Sequence, residues 1–231
     1  LFKNKIKMIN RVLLYNSGGG IGDAIQILPL IETLKSELKS ADFYYLSAHK
    51  NHFNSTLKDL NIKIKTLDLG IRYFGFRWWH VFIVKKKIKE LNIQKFDLII
   101  DLQSKIRNSL ILKMIPSINF ISSCFSFKFS KPIIKITKEI RIDETILKAI
   151  NYLFKKNLKI NKYDIGKINK KFFLESEKLL PKNNYVGFSI TQGNIYRKKE
   201  WPFKNIIDLC NRLSENNKTP VFLIEKTNIE L

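Results

Sequence analysis

Arg11-Val-Leu-Leu-Tyr-Asn-Ser-Gly-Gly-Gly-Ile-Gly-Asp23-Ala-Ile-Gln-Ile-Leu-Pro-Leu-Ile31 joins an apolar run to a glycine-rich turn and then to an amphipathic segment. The pattern predicts strand, loop and helix, with a carboxylate at the helix start. Val12 to Tyr15 is rich in large apolar residues, as a buried parallel strand requires, and Gly18 to Gly22 allow a sharp turn and close approach of a ligand. Two familiar phosphate cradles do not fit. GxGxxG needs glycine where Asp23 stands, and the Gly-Lys-Ser/Thr of a P-loop is absent. A carboxylate at the positive end of a helix is favoured in its ionised form and disfavours a phosphate at the same spot, so Asp23 suits a proton acceptor. An aspartate that simply stabilises its helix reads the same way.

The 231 residues exceed one average domain, and 45% hydrophobic residues supply a sizeable core. Lys and Arg number 42 against 20 Asp and Glu, a net charge of +22, which points to anionic partners: nucleic acid, membrane or phosphorylated substrates. The charge is scattered among abundant Ile and Asn, with no RNA-binding signature, zinc-finger spacing or dense basic helix, so no nucleic acid is expected. Cys124 and Cys210 stand apart in apolar surroundings and read as free thiols of a reducing compartment. His49 and His52 lack a third ligand and His80 lies well away, so neither a metal nor any other cofactor is expected. No uninterrupted apolar run reaches about 18 residues and no signal-peptide core is present, which predicts a cytoplasmic location. Met8 stands immediately before the first strand, and residues 1–7 are left out of the fold reading.

Along the chain, a helix is predicted from Asp23 to about Lys39, a strand over Asp42 to Ser47, a helix over His52 to Leu60 and a half-exposed strand over Ile62 to Leu67. Val81 to Leu91 follows as a basic helix, then a buried strand, Phe96-Asp-Leu-Ile-Ile-Asp-Leu-Gln-Ser104. Asn108 to Met114 reads as helix, Ile118 to Ile121 as strand and Glu144 to Lys155 as helix. Ligands of open parallel sheets sit at strand carboxyl ends, which would bring Asp101 and Gln103 to the crevice of the glycine loop; a turn-capping role for Asp101 is the alternative. The pattern loosens between Lys156 and Asn184. Strand Tyr185 to Ile190, a polar loop Thr191 to Glu200, a helix opening at Pro202 and strand Pro220 to Ile224 then repeat the strand, loop, helix, strand order. The expected fold class is α/β, with a Rossmann-like first domain over 1–165, a linker over 166–183 and the start of a second over 184–231. One βαβ unit cannot bury both faces of a parallel sheet, so the second domain is expected to be incomplete.

Three segments together resemble glycosyltransferase family 9, the ADP-heptose:lipopolysaccharide heptosyltransferases. They are Gly20-Ile-Gly-Asp23 with Leu28-Pro29 behind it, Phe96-Asp-Leu-Ile-Ile-Asp-Leu-Gln103 with Arg107 following, and Lys199-Glu-Trp-Pro202 after Thr191-Gln-Gly193. The resemblance runs from Met8 to Leu231. It implies the GT-B fold, two Rossmann-like domains facing a cleft, with the acceptor on the first and the nucleotide sugar on the second. It also implies an inverting, metal-independent transfer of a heptose or related sugar, from ADP-heptose or another nucleoside-diphosphate donor, to a lipopolysaccharide core or lipid A type acceptor. Carried over by residue, Asp23 is the general base, and Lys199 faces the donor diphosphate unless it is a solvated loop lysine like Arg197 and Lys198. Thr191, Gln192 and Gly193 hold the donor phosphates, and Glu230 the nucleoside. Beside these, Gly20, Gly22, Asp101, Gln103, Arg72 and Arg77 are read as acceptor-binding or cleft-lining residues. A non-catalytic homologue that binds an anionic glycolipid or nucleotide is the alternative.

One segment interleaves aromatics with cations, Arg72-Tyr-Phe-Gly-Phe-Arg-Trp-Trp-His-Val-Phe-Ile-Val-Lys-Lys-Lys87. It reads either as a core helix with a solvated lysine end, or as a peripheral contact with the cytoplasmic face of an anionic inner membrane. In the second reading Trp78, Trp79 and Phe82 lodge at the interface and Arg72, Arg77 and Lys85 to Lys87 meet headgroups.

Overall fold

The structure, a computed structural model, describes residues 9–16, 20–47, 51–60, 62–103, 105–189 and 201–224. The chain divides into two compact units, Leu1–Lys167 and Ile168–Leu231.

In the first unit, strands β1 (Arg11–Asn16), β2 (Asp42–Ser47), β3 (Lys65–Thr66), β4 (Phe96–Asp101) and β5 (Ser117–Ser122) form one parallel sheet in the order β3-β2-β1-β4-β5. Helices α1 (Ile21–Gln26), α2 (Leu28–Glu37), α3 (His80–Glu90), α4 (Ile106–Leu112) and α5 (Ile142–Phe154) cover it. Alternation along the strands builds two cores. Val12, Leu14, Leu98 and Ile100 pack with Ala24, Ile27, Leu30, Ile146 and Ile150 on one face. Leu13, Tyr15, Phe96 and Ile99 pack with Val84, Ile111 and Leu112 on the other. Both faces of the sheet are covered, which is why its strands read as continuous apolar runs rather than alternating ones.

Most predicted elements stand within two or three residues of their predicted bounds. Three differ. The single helix expected after the glycine turn is two: Pro29 lacks an N–H and its ring crowds the carbonyl four residues back, so the chain breaks at Ile27 and restarts with proline in the first turn of α2. His52 to Leu60 forms two 3₁₀ turns, the first capped by the Asn51 side chain, which accepts from the Phe53 amide at 3.0 Å. The strand expected over Ile62 to Leu67 pairs through Lys65 and Thr66 alone.

The second unit is a βαβ: β6 (Tyr185–Ser189), α7 (Phe203–Glu215) and β7 (Thr219–Leu223), with β6 and β7 parallel from Tyr185↔Thr219 to Ser189↔Leu223. Pro202 stands just before α7, and its carbonyl accepts from Asn205 N at 2.9 Å. Within residues 166–183, read from sequence as a linker, lies α6 (Lys170–Leu179), capped by the Asn169 side chain accepting from Lys171 N at 3.1 Å. The lysines that make this stretch look like linker are good helix formers.

Candidate active site

The chain lays β1, β2 and β3 outward in one direction and then places β4 and β5 on the other side of β1. Strand order therefore reverses between β1 and β4, and in open α/β sheets ligands sit outside the carboxyl ends at such a point. Asn16, the last residue of β1, is buried there. Its Nδ2 donates to the backbone carbonyl of Asp23 at 3.1 Å, and its Oδ1 accepts from Gln103 Nε2 at 2.7 Å. One side-chain amide thus ties the end of β1, the start of α1 and the turn after β4.

Asp23 is the third residue of α1 and half-buried. Gly20 precedes the helix with ordinary extended backbone (φ −89°, ψ 147°), and a Cβ there would lie 3.7 Å from Asp23 Oδ2. A Cβ on Gly22 would meet no atom within 4 Å among the described residues. Among the described residues neither backbone strain nor close packing demands glycine at 20 or 22. Tyr45 packs beneath α1 in the same core as Ala24 and Ile27, and among the described residues its hydroxyl has no hydrogen-bond partner of normal geometry. Burial drives its pKa well above the ordinary tyrosine value, the neighbouring Asn16 side chain pulls it back, and the Asp23 charge pushes it up again. The hydroxyl is a proton donor, not a phenolate.

Asp101, expected to line the crevice, turns inward. It is fully buried: Oδ2 accepts from the hydroxyls of Ser109 on α4 and Ser122 on β5, the latter at 2.8 Å, and Oδ1 accepts from Gln103 N at 3.0 Å. An ion buried in protein persists only when such donors replace its water. Asp101 caps the turn and clamps α4 and β5 to the end of β4.

Beside this crevice, the loop between β3 and α3 forms a shallow depression of about 550 Å³ lined by Arg72, Tyr73, Phe76, Arg77, His80 and Arg107. Tyr15, next to Asn16 on β1, secures the loop: its hydroxyl donates to the Phe74 carbonyl at 3.1 Å and its ring stands edge-on to Phe74. Gly75 holds a positive φ of 82°, and a Cβ there would come within 2.5 Å of Asn108 Oδ1 and 3.1 Å of Asn108 Cα, so only glycine fits. The Gly75 carbonyl accepts from Arg107 Nε, and its N–H donates to His80 Nδ1 at 3.1 Å. The loop backbone therefore orients both rim groups. A second depression of about 450 Å³ shares Arg72 and adds Ser47, Asn51, Thr66 and Asp68.

Burial, then the charges of Arg107 and Arg77, hold the His80 imidazole below the 6.5 of a free histidine. Its neutral form accepts the Gly75 N–H, and protonation removes that acceptor. As pH falls, the unfolded chain takes up the proton first, so the contribution of His80 to stability is complete above about pH 6.5 and is lost as pH falls through the folded-state value. The C2-proton resonance of His80 is expected to titrate below the free-histidine range; a midpoint at or above that range would remove this account.

The structure thus gathers Gly20, Gly22, Asp23 and Gln103 at the switch point and Arg72 and Arg77 in the adjoining basic depression. Thr191, Gln192, Gly193, Lys199 and Glu230 lie outside the described residues. The sequence reading passed over Asn16, visible only as the polar end of an apolar run, and His80, set aside for lack of metal partners. Arg107 stood in a quoted motif without a role. Among the described residues no three His, Cys, Asp or Glu side chains are grouped to hold a metal ion. No helix among them is long and apolar enough to cross a membrane.

The sequence matches no protein-family model and no curated protein significantly. Solved structures match over nearly the whole chain. A glycosyl transferase of family 9 from Veillonella parvula DSM 2008 is 17% identical, with a TM-score of 0.54 over 96% of this chain and 65% of its own. The heptosyltransferase WaaC of E. coli with ADP-2-deoxy-2-fluoro heptose is 15% identical, with a TM-score of 0.61 over 93% of this chain and 69% of its own. A UDP-GlcNAc 2-epimerase from Methanocaldococcus jannaschii is 13% identical, with a TM-score of 0.53 over 95% and 66%. The chain spans about two thirds of the length of these structures. At such identities the likeness is one of fold: two Rossmann-like α/β units in the order of the GT-B glycosyltransferases.

Proposed function

We propose that this chain carries the acceptor side, and the start of the donor side, of an inverting, metal-independent glycosyltransferase. It moves a heptose or related sugar from a nucleoside diphosphate, ADP-heptose first among the donors to try, to an anionic lipopolysaccharide core or lipid A type acceptor. The observation that carries this reading is the placement of Asp23. It is a half-buried carboxylate on the helix leaving β1, at the switch point, beside two glycines that no described residue crowds, on a unit whose β3–α3 loop carries a depression lined by three arginines.

In this reading the arginines and the polar groups around Thr66 and Asp68 orient a phosphorylated or carboxylated sugar so that one hydroxyl faces Asp23. The carboxylate takes the hydroxyl proton as the oxygen attacks the anomeric carbon, the bond to the diphosphate breaks, and the configuration inverts. Lys199 and Thr191 to Gly193 are assigned to the departing diphosphate, where fixed cations and donors stabilise developing charge without a metal.

The fold alone does not choose transfer, because a nucleotide-sugar epimerase shares it. What favours transfer is the resemblance of Gly20 to Asp23, Phe96 to Gln103 and Lys199 to Pro202 to family 9; the basic depression offers a place for an anionic group and would suit either enzyme. The test is to incubate the protein with ADP-heptose, with and without a deacylated lipid A-type acceptor, and follow products by mass spectrometry. Acceptor-dependent gain of one heptose supports the proposal. Donor epimerisation without acceptor, or no turnover of any nucleoside-diphosphate sugar, overturns it.

A further inference from the structure

The segment Trp78 to Lys89 has a surface that glycosyl transfer does not use. Helix α3 turns His80, Val81, Val84 and Ile88 toward the sheet. Its other side carries Phe82 and Ile83, then Lys85, Lys86 and Lys89, and Trp78 and Trp79 extend it at the helix start. Trp78 is 67% exposed, Phe82 59% and Trp79 43%, values far from those of a core helix. Trp78 stacks edge-on against both Trp79 and Phe82, at 5.9 and 6.1 Å between ring centres, so the three rings form one patch. Arg77 lies over the Trp79 ring, 5.5 Å from its centre. Lys87, grouped with its neighbours in the sequence reading, is instead half-buried and paired with Glu90 at 2.9 Å, and Lys86, exposed, lies 3.5 Å from the same carboxylate.

We infer that this patch, Trp78, Trp79 and Phe82 with Lys85, Lys86 and Lys89 behind it, is a docking surface for an anionic lipid bilayer. The inference does not depend on glycosyl transfer. Charge decides the occupant. Residues 72–90 carry six cations against one carboxylate, Glu90. A second copy meeting this patch through a twofold axis would bring those cations face to face, whereas acidic headgroups supply the opposite sign. The rings settle the mode of contact, since tryptophan favours the membrane–water boundary and long lysine side chains reach back to headgroups while their stems stay in apolar surroundings. The aromatics cluster at the start of α3, so the helix meets the bilayer N-terminus first. That end also holds the arginine depression, because His80 begins α3 and lines it. Docking there would bring the depression to the headgroup layer.

The experiment uses the chain carrying Trp201→Phe, so that emission comes from Trp78 and Trp79 alone. Vesicles of phosphatidylethanolamine with phosphatidylglycerol are compared with pure phosphatidylcholine. The expected result is cosedimentation with the anionic vesicles only, a blue shift of emission, and quenching by lipids brominated on their acyl chains. Replacing Lys85 and Lys86 by alanine is expected to weaken binding by about fivefold per lysine at low salt. Phe82→Ser, at an exposed position, is expected to reduce both binding and quenching while circular dichroism stays unchanged. The inference is overturned by absence of binding to anionic vesicles, or by binding that ignores these variants. It is also overturned if the patch instead mediates self-association that Phe82→Ser dissolves in sedimentation equilibrium, or if single-stranded RNA rather than lipid shifts the emission.

Discussion

Asp23→Asn is expected to lower sugar transfer by about 10²- to 10⁴-fold, the usual contribution of a positioned general base, and to leave the fold intact. The variant keeps the shape and the helix-start position while removing the proton acceptor. Its backbone carbonyl still receives the Asn16 amide, and Oδ2, next to Gly20, is replaced by a group of equal size. The fall should lie in kcat, with the acceptor KM little changed, because the arginine depression that would hold the acceptor is untouched. Initial rates at saturating donor, together with a thermal melt, make the measurement. Turnover within twofold of the parent would refute the role given to Asp23, and a lost melt transition would make the residue structural.

Asp101→Ala is expected to destabilise the first unit by about 3 kcal/mol, the cost of leaving buried partners of a carboxylate unsatisfied. The Ser109 and Ser122 hydroxyls, both fully buried, would lose their common acceptor, and the half-buried Gln103 amide its cap. At roughly 2–4 °C per kcal/mol for a unit of this size, the thermal midpoint should fall by about 6–12 °C. Asp101→Asn, which keeps one acceptor oxygen, should fall by less. Equal midpoints for parent and alanine variant would show that the clamp contributes nothing to stability. Transfer by the asparagine variant, assayed below its midpoint, separates this structural role from a direct one: Asp101 is itself fully buried, so activity there should be retained.

The strand at Arg11 to Asn16 was legible because a buried parallel strand needs apolar residues on both faces, and Val12 to Tyr15 meets both cores; most of the glycine turn, 17–19, lies outside the described residues. The break at Ile27 was also written in the chain, in Pro29, but the apolar periodicity runs across it and hides it. Short pairings such as Lys65 with Tyr44 leave almost no local signature, since a two-residue strand is held by its neighbour rather than by its own residues. The glycine turn and its aspartate were visible as a pattern. Whether Asp101 faced ligand or core was not, because a carboxylate at a strand end suits either place, and Ser109 and Ser122, which decide it, lie 8 and 21 residues further on.

What the sequence by itself determined is the α/β class, the position of Asp23 at the start of the first helix and the cationic balance, all set by composition or by residues next to one another in the chain. Only the tertiary structure decided that Asn16 joins Asp23 to Gln103, that Arg72, Arg77, Arg107 and His80 share one depression around Gly75, and that Trp78, Trp79 and Phe82 face outward. The first two bring together segments dozens of residues apart, from loops and strand ends on either side of β1. Which side of α3 packs on the sheet is settled by the fit of Val84, with Val81 and Ile88, into the core, not by the hydrophobicity of the helix alone.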